Sequence, residues 1–117
     1  MTLTDVIKHK DFIFALCVFV DEFKRNENRQ DMIMHPPNGN SAVPEHICIL
    51  AGAAHKLAND YDIPVPNWVY DPAYKMPAPV FAFHTENEEY QEFLRQDTPL
   101  EFASKNIFHG ANAIMRV

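Results

Sequence analysis

The run Pro44-Glu-His-Ile-Cys-Ile-Leu-Ala-Gly-Ala-Ala-His-Lys-Leu-Ala-Asn-Asp-Tyr61, closed by Ile63-Pro-Val-Pro66, decides the fold. Proline suits the first helical position, where its missing N–H costs nothing, and Glu45 places negative charge at the positive end of the helix dipole. Ile47, Leu50, Ala54, Leu57, Ala58 and Tyr61 recur at helical spacing and form a core stripe. Ala51, Gly52 and Ala53 remove side-chain bulk beside that stripe. Glycine inside a helix costs up to about 1 kcal/mol relative to alanine, and close approach of another element is its compensation. The spacing predicts a central helix over 43–61, ended by Ile63-Pro-Val-Pro because a residue before proline is pushed out of the helical region.

Towards the N-terminus, Thr2 or Thr4 caps a short opening turn, and Asp11 caps a stronger helix running to about Asn26. Its apolar stripe reads Phe12, Leu16, Phe19, Val20 and Phe23. The opposite side reads Asp11, Phe14, Ala15, Val18, Glu22 and Arg25, so Phe14 and Val18 intrude on a face that a surface helix keeps polar. Either another part of the chain covers them or they meet a partner. A short helix is expected over 30–34, and His35-Pro-Pro-Asn-Gly-Asn-Ser-Ala42 turns the chain.

Towards the C-terminus, Pro64, Pro66, Pro72, Pro77 and Pro79 keep the segment to Ala82 extended or turning, with little strand pairing expected. Helix returns over 86–96, with Tyr90, Phe93 and Leu94 inward and Glu88, Glu89 and Glu92 in solvent. Thr98-Pro-Leu-Glu101 has the form of a capping box opening a short helix, and Gly110 begins a last turn. The expected architecture is all-α: a compact single-domain helical bundle over 1–117 with a long proline- and aromatic-rich irregular connection.

Composition narrows the function. A chain of 117 residues that is 47% hydrophobic can bury a core without disulfides or metal. Sixteen acidic against ten basic residues give a net charge of −6, which disfavours direct nucleic-acid binding. Cys17 and Cys48 lie in apolar runs and read as buried hydrophobes. The run Phe12 to Val20 is too short to span a bilayer, and Asp21 and Glu22 stand where a signal peptide needs small residues. The expectation is a cytoplasmic protein without a membrane segment.

Few residues offer chemistry. His46 and His55 are nine apart on one helix, hence on opposite faces, and no metal-ligand spacing joins any of the six histidines, so no metal or other cofactor is expected. His55 shares a face with Asn59 and Asp62, a small polar cluster that also reads as an ordinary helix surface. No glycine-rich phosphate loop or serine nucleophile elbow is present. Trp68 and Tyr70 form either an aromatic platform or a clamp pinning the connection to the helices.

The pattern Ile63-Pro-Val-Pro-x-Trp68, Asp71-Pro72 and Thr98-Pro-x-Glu-Phe102 with Asn106-Ile-Phe108 resembles a small uncharacterised bacterial helical domain family. Its members often follow helix-turn-helix segments in regulators or antitoxin-like partners. The resemblance covers Val43 to Val117 and carries no catalytic residues. This chain has no room ahead of the match for a full helix-turn-helix domain, so the resemblance implies partner binding rather than direct transcriptional control. Two expectations follow. One is a non-enzymatic interaction or regulatory module, antitoxin-like, that binds a protein partner or a second copy through Phe14, Val18, Trp68 and Tyr70. The alternative is a small metal- or ligand-dependent enzyme using His55 and Asp62, joined by His84 or His109.

Overall fold

The computed structural model describes residues 1–38 and 43–110. Among them, six α-helices carry the fold: α1 (Leu3–Lys8), α2 (Phe12–Arg25), α3 (Arg29–Ile33), α4 (Pro44–Asp60), α5 (Glu88–Asp97) and α6 (Leu100–Ala103). Two short strands, β1 (Val80–Phe81) and β2 (Ile107–Phe108), pair in parallel. The helical expectation holds for the bulk of the molecule, and the strand pair is its exception. Pairing is possible there because Val80 lies just past Pro79 and keeps its N–H, which donates to Asn106 O at 2.8 Å.

Pro44 stands at the first position of α4. The helix is buried along Cys48 to Ala54 and again at Leu57 and Ala58, a wider band than a single stripe. The cover comes from different directions. Phe102 of α6 lies against Gly52, and Val69, the one buried residue of the 3₁₀ turn Asn67–Tyr70, joins the same core. That turn and the following one, Pro72–Tyr74, pack on α4.

The first half forms around α2. Thr2 and Asp5 make a reciprocal capping box on α1, and the Asp11 side chain accepts the Phe14 N–H. Phe12, Leu16, Phe19, Val20 and Phe23 are buried as expected, and so is Ala15, contrary to its expected place on the far side. Arg29 donates to Phe23 O and Lys24 O, and its guanidinium lies 4.6 Å over the Tyr61 ring. These contacts close the C-terminal end of α2 and join it to the end of α4.

Two local expectations fail. Thr98 does not cap α6: Pro99 is the cap residue, while Thr98 Oγ1 is buried and accepts the Gly110 N–H at 3.0 Å. Glu101, freed from that box, accepts from Asn59 Nδ2 at 2.9 Å and ties α6 to α4. On α5, Leu94 is buried, but Phe93 is 56% exposed and Tyr90 lies at the surface stacked on it. The helix docks through Leu94, which packs with Phe81, Ala82 and Phe108, and through Arg95, whose guanidinium covers the stacked rings of Phe81 and Phe108. The last turn expected from Gly110 through Met115 falls, beyond Gly110 itself, outside the described residues.

Candidate functional site

On α2 the expected intrusion is real and larger than two residues. Phe14 is 52% exposed and Ile13, which the sequence reading did not single out, is 60% exposed. Cys17 and Val18 are half-buried on the next turn. At 100° per residue these four positions share one arc, opposite the buried stripe. The arc ends in charge, with Asp21, Lys24 and Arg25 on its later turns. The His9 ring lies tilted beside Phe14 with centroids 6.0 Å apart, and the rest of the Ile13 and Phe14 side chains stands in solvent.

A second apolar group stands at the same end of the molecule. Phe12 stacks on His46 with ring centroids 3.9 Å apart, and neighbouring Glu45 lies 3.6 Å from His84. These contacts bring the start of α2, the start of α4 and the 82–84 turn together. In that turn Phe83 is 90% exposed at φ 57°, followed by His84 at φ 49°. Two consecutive left-handed residues without glycine are strained, and here the strain holds an aromatic ring in solvent. His109 lies near Glu45 and His84; burial lowers its pKa, Glu45 opposes that shift, and His84 adds to it.

The two expected aromatics behave differently. Trp68 is half-buried, donates its indole N–H to Ile33 O at 2.9 Å and meets Tyr74 edge-on at 5.3 Å, so it clamps the connection. Tyr70 is 61% exposed, with its ring against His55 at 5.3 Å.

His55 sits with Tyr70, Glu101 and Lys105. Its Nδ1 is sealed from solvent with no hydrogen-bond partner among the described residues. Burial lowers its pKa, Lys105 lowers it further, and Glu101 opposes both. Burial pushes the Glu101 carboxyl up, but the Asn59 hydrogen bond and the nearby cations outweigh it, and the net shift is downward. Asp62 lies past the end of α4 in a left-handed turn at φ 54°, its N–H donating to Asn59 O at 3.5 Å. His84 and His109 gather on Glu45, ten residues and about 15 Å along the helix axis from His55. Among the described residues no group of three or more His, Cys, Asp or Glu is placed to hold a metal ion, and no helix is long and apolar enough to cross a membrane.

Lys105 escaped the sequence reading. It is only 5% exposed, and its place between Ser104 and Asn106 gave no signal of burial. Cys48 is buried as expected, and burial raises its thiol pKa, with Lys105 opposing.

No protein-family model matches the chain. A search of the curated proteins finds no significant match. A search of the solved structures finds none either, so the resemblance drawn from the proline and aromatic punctuation stands on those residues alone.

Proposed function

We propose that this protein is a non-enzymatic interaction module that docks a protein partner through the start of α2. The observation that carries this reading is the exposure of Ile13 and Phe14 beside half-buried Cys17 and Val18 on a well-capped helix. Large apolar groups held together in solvent on a rigid element lose free energy of hydration until something covers them. Phe83 is a separate exposed apolar group, and its left-handed backbone supports a use for the ring beyond packing. Tyr70 and Trp68 contribute less: Trp68 is engaged within the chain, and Tyr70 covers His55. A regulatory, antitoxin-like role is the form of partner binding that the resemblance implies, and it rests on the sequence pattern alone.

The experiment is a charge insertion. In Ile13→Glu and Phe14→Glu the fold is expected to persist, with stability changed by about 0.5 kcal/mol or less, since both side chains already face solvent. The complex with the partner, or the self-association of the chain, is expected to weaken by roughly a hundredfold, as for loss of a central apolar anchor. Unchanged assembly in both variants contradicts the proposal.

A further inference from the structure

A groove of about 380 Å³ opens between the 3₁₀ connection and the turn from α6 to β2. That volume lies within the range of small-molecule sites. Tyr70, Pro72 and Tyr74 give it flat apolar walls, while Lys75, Ser104 and Lys105 supply polar groups. The walls are held from behind: Tyr74 rests edge-on against Trp68, itself fixed to Ile33, and Tyr70 rests against His55. Such a site is formed before a ligand arrives, which lowers the ordering cost of binding.

The feature asking for a ligand is Lys105. Although 95% buried, it donates no side-chain hydrogen bond and has no ion pair within 4 Å among the described residues. Its acidic neighbour Glu101 supplies some counter-charge, but that carboxylate accepts from Asn59 and stands beyond ion-pair distance of Lys105. Asp71, also on the groove, turns Oδ1 to the N–H of Ala73. Among the described residues His55 Nδ1 is the buried side-chain nitrogen both sealed from solvent and unpaired, so the equally unpaired Lys105 ammonium keeps an opening to water. A buried cation without a close ion pair is costly unless it loses its proton or a counter-charge arrives. Burial does lower the Lys105 pKa, while Cys48 and Glu101 oppose the shift.

We propose that this groove binds a small molecule bearing one carboxylate on a flat apolar body. The carboxylate meets Lys105, with Lys75 at the rim, and the body lies between Tyr70, Pro72 and Tyr74. This site shares no residue with the α2 face, so either assignment can fail without the other.

Titration of the full chain with benzoate, benzyl alcohol and inorganic phosphate, followed by side-chain NMR shifts, tests the assignment. Benzoate is expected to saturate shifts at Tyr70, Tyr74 and Lys105, with the uncharged alcohol and the body-less phosphate each weaker by roughly tenfold or more. Lys105→Met should weaken benzoate by roughly tenfold or more, and Tyr70→Ala, at an exposed position that leaves the fold intact, by roughly threefold or more. Non-saturating benzoate, equal binding of the alcohol or of phosphate, or unchanged affinity in a folded Lys105→Met protein overturns the proposal. Should Lys105→Met fail to fold, unchanged affinity in Tyr70→Ala overturns it.

Discussion

Gly52 faces the ring of Phe102 so closely that a Cβ on residue 52 would stand 2.5 Å from Phe102 Cδ1. The contact joins the middle of α4 to α6 and explains the glycine in a buried helix. Both partners are fully packed, Phe102 having no exposure. Gly52→Ala gains up to about 1 kcal/mol of helix propensity but forces the ring to move, and overpacking of this kind costs about 1–3 kcal/mol. We expect net destabilisation in chemical denaturation, partly relieved when Phe102→Leu is added. A single Gly52→Ala variant more stable than the parent contradicts the packing described.

Thr98, just past α5, ties the end of that helix to Gly110. Its buried Oγ1 is the acceptor for the Gly110 N–H, so Thr98→Val keeps the shape and leaves that donor unpaired. A loss of about 1–3 kcal/mol is expected, and Thr98→Ser should restore most of it. Equal stability of the valine and serine variants would mean that the hydroxyl is not needed.

Acid sensitivity follows from three histidines. Burial lowers the pKa of His46, His55 and His109 from the ordinary 6.5. The unfolded chain therefore binds protons more readily than the folded one, and the stability from these neutral rings is fully present above pH 6.5. It is lost as pH falls through the lowered folded values. Glu45 and Glu101 oppose the shifts, while His84 and Lys105 reinforce them. The melting temperature is expected to fall between pH 7.5 and 5.5, and His109→Gln to flatten that slope. A melting temperature that rises on acidification contradicts this assignment.

The helical half of the fold was legible where periodicity and caps agree. Pro44 and Asp11 sit where their chemistry places them, and the α2 stripe is buried residue for residue. Thr98-Pro-Leu-Glu101 misled because the same residue types serve long-range contacts, Thr98 with Gly110 and Glu101 with Asn59. The strand pair was missed because two residues carry no period, and its partner is 27 positions away in sequence. For the candidate surfaces, Phe14 was visible as an apolar residue on a polar arc. Ile13 was not, since it borders the buried stripe and only packing shows which side of the border it falls. Lys105 depends entirely on tertiary burial, for which a lone lysine in sequence gives no sign.

The central claim is that the start of α2 is covered by another protein. A photo-reactive phenylalanine analogue at position 14, compared with the same group at exposed Glu89 on α5, tests it in the native cellular setting. The account expects one discrete cross-linked species from position 14, absent from position 89 and lost when Ile13→Glu is added. No adduct at position 14, or the same adducts from both positions, would contradict it.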